Sequence, residues 1–257
     1  MIDIEKAKKE FIEYVKQYDI NNGRIRLKMT HILKVAEVSR LIASNLNLSE
    51  EQINLAELIG IFHDIGRFEQ IRLYDTFSDK DSGLDHAAYS VKVLYEDGLI
   101  KRFLDTTKYD YIIKQAVYNH NKAKIDESVE GEALIFSKIV RDADKVDIYR
   151  VINQDAMSDV FWYKEFENLE IGEQVFKEFK EDHFVKYKDV KNNADLIPVF
   201  YGYIFDFNFP YALKLIQKNE YLENFALRIK ESFKSDIIDR KVEEILEICN
   251  NYMNKNT

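Results

Sequence analysis

The chain has 257 residues, a formal net charge of −9 and 46% hydrophobic content, which is ample for a full-sized core and excludes a disordered segment. Glycine and proline number 8 and 2, against roughly 30 together at average usage, so a sandwich or barrel built on many turns is excluded. With no basic stripe, binding along a nucleic-acid backbone is not expected; a phosphate-bearing substrate must meet a local positive centre, such as bound metal.

Residues 3–18 place Ile4, Ala7, Phe11, Tyr14, Val15 and Tyr18 at helical spacing, and the Asn21-Asn22-Gly23 turn closes that helix. A second helix, Lys28 to Asn45, carries His31, Val35, Val38 and Ile42 along one stripe. Ser49 followed by Gln52 resembles a capping box, opening a helix that runs through Leu55, Leu58, Ile59 and Phe62 into His63-Asp64. Residues 74–85 are polar and turn-rich and read as a loop. Asp85 then caps a helix through Ala87, Val91 and Leu94. Another helix spans about 108–119 and leads to His120, and a further apolar pattern runs from Ala133 through Ala143-Asp144 to Ile152.

Beyond about residue 156 the composition turns aromatic. Helical segments are expected near 157–182, 194–217 and 220–253. The alternation Tyr201, Tyr203, Phe205, Phe207, Phe209 has a strand's period of two, but with no partner strand a helix buried on several sides is the expectation. The chain therefore reads as all-α, with a core over 1–155 and a helical extension over 156–257 packed on it. Lone Cys249 allows no intramolecular disulfide or thiolate cluster. Residues 1–6 form no apolar signal core. The apolar stretch 196–216 is broken by Asp206 and Pro210, so no membrane span is expected. A cytoplasmic setting follows as the expectation.

Four of the five histidines sit where a helix stripe or helix end meets the core. His31 shares a face with Val35 and Val38, His63 follows Ile59 by four, His120 follows Ala116 by four, and His86 lies in the first turn of its helix. One core histidine usually just satisfies a hydrogen bond. Four of them, with Asp64 and Asp144 on similar faces, would be costly to bury unpaired, and metal coordination removes that cost.

These residues resemble the HD-domain superfamily of metal-dependent phosphohydrolases over roughly 25–155. The resemblance rests on His31 in THILKVAEVS, His63-Asp64 in IGIFHDIGRFEQ and Asp144 in KIVRDADKVDIY. His86 in DHAAYSVKVL and His120 in AVYNHNKAK match the two extra histidines of the family's two-metal subclass. The resemblance implies an HD-domain helical bundle with His31, His63, Asp64 and Asp144 on one divalent ion and Asp64, His86 and His120 on the other. It implies hydrolysis of a phosphomonoester or phosphodiester, on a nucleotide, by a metal-bridging hydroxide, with Asp64 central to catalysis. Arg67 and Lys145 are candidate phosphate contacts. A His-rich, carboxylate-bridged site suits iron, manganese, nickel, cobalt or zinc better than magnesium. Glu69, Asp79, Asp81, Asp85, His183 and the aromatics Tyr201, Tyr203 and Phe205 are weaker candidates, each read first as solvated or core.

Subfamily motifs narrow this. Asn119-His120-Asn121-Lys122 without a following Gly-Tyr-Pro disfavours the cyclic-dinucleotide HD-GYP type. Arg67 and Phe68 stand where alarmone hydrolases carry acidic residues. Deoxynucleotide triphosphohydrolases usually follow the His-Asp-Ile-Gly run with a histidine and a Pro-Phe stretch, both absent. A non-catalytic metal- or nucleotide-binding regulator and a di-iron HD oxygenase are the alternatives.

Overall fold

The computed structural model describes residues 2–161, 166 and 169–257. The chain is all-helical, with no strand among the described residues. It divides into two compact units, Met1–Asp147 and Ile148–Thr257, and each is taken by itself.

In the first unit, α1 (Ile4–Val15) starts at Asp3, whose carboxylate accepts from the Lys6 amide. α2 (Gly23–Asn45) starts five residues earlier than its apolar stripe suggests, because the Asn22 side chain caps it by accepting from the Arg24 amide. Lys28 is thereby placed inside α2, one turn before His31. α3 (Glu50–Phe62) opens with the expected Ser49–Gln52 capping box and is buried along almost its whole length. α4 (Arg67–Tyr74), the single-turn α5 (Asp79–Ser82), α6 (His86–Tyr95), α7 (Asp110–Asn119) and α8 (Gly131–Gln154) follow. The segment expected as a loop, 74–85, thus contains one helical turn, capped by Ser78.

Two glycines set the spacing around the future site. A Cβ on Gly60 would lie 2.6 Å from the Ala36 Cα, so only glycine lets α3 press directly onto α2. A Cβ on Gly66 would lie 2.7 Å from the Ser90 amide nitrogen, and the Gly66 amide donates to Ser90 Oγ at 3.0 Å. That contact draws α6 against the turn that follows α3.

The second unit holds the end of α8, then α9 (Met157–Val160), α10 (Glu173–Asp182), α11 (Asn193–Gly202), α12 (Pro210–Lys218), α13 (Tyr221–Phe233) and α14 (Asp236–Asn256). Part of the segment expected as helix near 157–182, residues 162–165 and 167–168, lies outside the described residues. α11 is buried on every side from Asn193 to Tyr201. Tyr149 and Tyr201 place their hydroxyls on the carbonyls of Phe200 (2.8 Å) and Leu222 (2.9 Å), so neither polar tip is wasted in the core. Cys249 is buried beside the Tyr201 carbonyl.

The aromatic alternation at 201–209 forms neither a strand nor one buried helix. α11 ends, Tyr203–Asp206 make a 3₁₀ turn, and the chain is extended at Phe207 and Phe209 before Pro210 opens α12. Proline at the first helical position has no amide to lose, so the break falls there. The expected 220–253 helix is likewise split, at Lys234 in the left-handed region with φ of 49°.

Candidate metal centre

The last turn of α3 is where the first unit's chemistry gathers. His63 caps that helix, and residues 63–66 form a tight turn in which the Arg67 amide donates to the Asp64 carbonyl at 2.9 Å. Arg67 therefore begins a new helix instead of continuing α3. His31 comes from the middle of α2, His86 is the first residue of α6, His120 follows α7 directly, and Asp144 lies in α8. All six sequence-predicted donors meet in one pocket. The histidines and Asp64 are buried, and Asp144 is partly open, its side chain 19% exposed.

Each imidazole is held by its Nδ1. His31 Nδ1 lies 2.7 Å from Asp147 Oδ2, and His86 Nδ1 lies 2.6 Å from Asp79 Oδ2. His63 Nδ1 meets the Gly60 carbonyl at 2.7 Å, and His120 Nδ1 meets the Val117 carbonyl at 2.7 Å. A carbonyl oxygen can only accept, so the last two nitrogens carry their protons, and the two carboxylates favour the same tautomer. The four Nε2 lone pairs are therefore all turned inward.

There they face one another without a shared proton. His31 Nε2 and His63 Nε2 are 3.4 Å apart, and His86 Nε2 and His120 Nε2 are 3.1 Å apart. Between the pairs stands Asp64. Its Oδ1 lies 3.4 Å from His120 Nε2 and 3.5 Å from His86 Nε2, while its Oδ2 lies 3.6 Å from His63 Nε2 and 3.8 Å from His31 Nε2. Asp144 Oδ1 adds a donor 3.1 Å from His31 Nε2 and 3.8 Å from His63 Nε2. Asp64 Oδ1 is buried with no hydrogen-bond partner. Converging lone pairs and an orphaned carboxylate oxygen repel each other unless a cation lies between them. Metal bonds of about 2.0–2.2 Å hold neighbouring donors about 2.9–3.6 Å apart, so most of these separations fit coordination. The clusters can hold metal.

For His63 and His86 electrostatics support the same state. Burial drives His63 down to about 3 and His86 down to about 4, so both rings are neutral near pH 7. Burial and the Lys28 ammonium also press on His31, but its hydrogen bonds to Asp144 and Asp147 outweigh them and leave it raised. Burial alone would raise Asp64; Lys28 and His63 more than cancel that and hold it well below the usual carboxylate range. Asp144 is likewise lowered against burial, by His31 and His63.

Two neighbours, Lys28 and Asp147, escaped the sequence reading as parts of this centre, and a third, Asp79, was only a weaker candidate in it. Lys28 Nζ sits 2.6 Å from Asp64 Oδ2 and 5.3 Å from the Phe77 ring centroid. Asp147 backs His31. Asp79, read as loop solvation, backs His86. Lys28 and Asp147 carry a signal only in hindsight: each lies three residues from a donor on the same helix, and so on the same face. Arg67 Nη1 donates to Gln70 Oε1 (2.6 Å), the Phe77 carbonyl (2.6 Å) and Asp79 Oδ1 (2.8 Å), while its Nε lies 3.6 Å from Asp64 Oδ1. Lys145 is buried in α8 beside Asp144. Glu69 faces away, accepting from the Tyr18 hydroxyl at 3.1 Å and pairing with Arg72. Asp85 caps α6 and pairs with Lys122. Asp81 is exposed. In the second unit, the His183 ring stacks on Phe205 at 4.1 Å.

The first unit is thus an all-helical domain whose histidine and aspartate side chains converge on one buried pocket with the donor set to hold metal ions. Residues 29–149 match the HD domain family model, consistent with the resemblance read from the sequence. Among curated proteins it is similar to a deoxyguanosinetriphosphate triphosphohydrolase-like protein of Nitrosomonas europaea, 44% identical over 57 residues, 21% of this chain and 14% of that one. It is also similar to a protein of the same description from Rickettsia akari, 35% identical over 89 residues, 32% of this chain and 22% of that one. The chain thus spans less than a quarter of these relatives. No solved structure matches. The similarity falls on the triphosphohydrolase description that the text after Gly66 disfavours, and it supports a nucleotide phosphohydrolase family. Among the described residues no helix is long and apolar enough to cross a membrane.

Proposed function

We propose that the protein is a metal-dependent phosphohydrolase that cleaves a phosphate ester of a nucleotide or similar small molecule. One observation carries this reading: the two oxygens of Asp64 face two separate histidine pairs, the arrangement of a carboxylate shared by two cations. His31, His63, Asp64 Oδ2 and Asp144 would hold one divalent ion, and Asp64 Oδ1, His86 and His120 the other. Such ions supply water activated near neutral pH and neutralise phosphoryl oxygens.

The protein's own residues do the remaining work. Neutral His63 and His86 keep their lone pairs available at pH 7, because burial disfavours the imidazolium. Asp147 and Asp79 fix the orientation of His31 and His86. Lys28, its side chain 15% exposed, adds a cation beside Asp64. Arg67 already serves three acceptors, so its role is to hold the 77–79 segment and to offset charge at Asp64. Lys145 remains the candidate phosphate contact on α8. A net charge of −9 is compatible with an anionic substrate because the positive charge is local.

Metal analysis of the purified protein, followed by a panel of nucleoside mono-, di- and triphosphates and phosphodiesters, tests the reading. Deoxynucleoside triphosphates belong in the panel because of the relatives' description. Wild type is expected to carry divalent metal and hydrolyse at least one class, and Asp64→Ala to lose both properties. Equal activity in wild type and Asp64→Ala overturns the proposal.

A further inference from the structure

Asp79 is the one acceptor of an inward-facing imidazole that is not carried by a long helix. His63 and His120 rest on carbonyls of the helices they terminate. His31 rests on Asp147, buried inside α8. His86 rests on a carboxylate that is 34% exposed and belongs to the four-residue α5.

That carboxylate is nonetheless firmly placed. Oδ2 takes the His86 Nδ1 proton at 2.6 Å and lies 3.4 Å from the His86 amide. Oδ1 accepts from Arg67 Nη1 at 2.8 Å and Gln70 Nε2 at 3.0 Å. Gln70, fully buried in α4, also donates to Ser82 Oγ at 2.8 Å, and Arg67 reaches the Phe77 carbonyl. α4 thus ties the 77–82 segment down through two side chains, and the segment in turn aims His86.

Resting on the two-ion reading above, the geometry points to Asp79 as a positioning residue for His86, so that the ion at Asp64 Oδ1, His86 and His120 is held only while the 77–82 segment is docked on α4. The ion at His31, His63 and Asp144 has no such dependence. The two sites therefore differ in how they fail.

The substitution Asp79→Asn makes the sharpest test. Two donors, Arg67 and Gln70, face Oδ1, so the introduced amide keeps its oxygen there and turns its N–H₂ towards His86 Nδ1. Nδ1 must then accept, its proton moves to Nε2, and the lone pair that faces the ion is lost.

The full chain, stripped of metal and titrated with Mn(II), supplies the measurement: binding isotherms, ion stoichiometry and the electron paramagnetic resonance spectrum, which separates a coupled pair from an isolated ion. Wild type is expected to bind two coupled ions. Asp79→Asn should keep one at unchanged affinity and bind the other about 10–100-fold more weakly, with an isolated-ion spectrum at intermediate Mn(II). Asp147→Asn should spare the ion that Asp79→Asn loses. Should Asp79→Asn fail to fold, as judged by thermal melting, Gln70→Met, which leaves Asp79 present but removes the Gln70 ties that hold it and Ser82 to α4, should show the same selective loss in milder form. Two ions bound by wild type and equally by the folded variants, or both sites weakened together, overturns the role of Asp79 and leaves the two-ion reading standing. Failure of wild type to bind a pair overturns both.

Discussion

At the scale of single residues, the centre is a set of buried groups whose charges are balanced by neighbours that the chain supplies from far away. Lys28 is the clearest case, since its ammonium touches Asp64 at 2.6 Å while both side chains are mostly shielded. In metal-free protein, Lys28→Met leaves a buried carboxylate short of a counter-charge, expected to cost roughly 3 kcal/mol. A divalent ion supplies the missing charge, so the difference in melting between wild type and variant should shrink on adding Mn(II). Equal differences with and without metal would show that Lys28 does not compensate Asp64. The six donors were legible because each sits at a helix stripe or end within recognisable local text. Asp147 was not, because its partner His31 is 116 positions away, and Asp79 stood only as a weaker candidate, because an aspartate in a polar, turn-rich stretch is the ordinary residue there.

At the scale of elements, two glycines allow the helices to bring their side chains within reach. Gly60→Ala forces a Cβ to within 2.6 Å of the Ala36 backbone, and neither α2 nor α3 can yield without moving His31 away from His63. Overpacking of this kind costs about 1–3 kcal/mol or more, and the variant is expected to lose metal affinity as well as stability. Gly66→Ala should act in the same way on His86, through Ser90. Thermal melts combined with metal titration check both; a Gly60→Ala protein with wild-type melting and affinity would remove the close approach from the account. Helix starts and the capping box were readable because caps are local chemistry. The breaks at 203–209 and at Lys234 were not, since a Phe- and Tyr-rich run satisfies several periods at once and tertiary packing chooses among them.

At the scale of the whole molecule, stability is coupled to protons and to metal. His63 and His86 titrate near 6.5 when unfolded but at about 3 and about 4 when folded. Between those limits the unfolded chain binds more protons, so stability falls as pH drops from about 6.5 towards 4. The lowered carboxylates Asp64, Asp79 and Asp144 extend the loss below pH 4. His31, with its raised pKa, works in the opposite direction, one ring against two above pH 4. Metal-free protein is expected to melt progressively lower from pH 7 to pH 4; a flat profile would contradict the buried neutral rings. A divalent ion at a hundred times its dissociation constant should add about 2.7 kcal/mol per independent site, read as a rise in melting temperature that chelator reverses. The all-helical class was evident from the scarcity of glycine and proline. The composition turns aromatic beyond about residue 156, and the two compact units divide at Asp147 and Ile148, inside the continuous helix α8.

The way His63 and His120 bond to the carbonyl three residues back has a wider meaning. A helix leaves its last carbonyls without partners, and each of these rings fills that vacancy with one nitrogen while presenting the other beyond the helix end. Their aim is thus written into the final turn of α3 and of α7, and calls for no distant support. Such a terminus is a portable ligand: half of the imidazoles in this centre would be oriented as soon as their helices form, ahead of the long-range contacts that complete the cage.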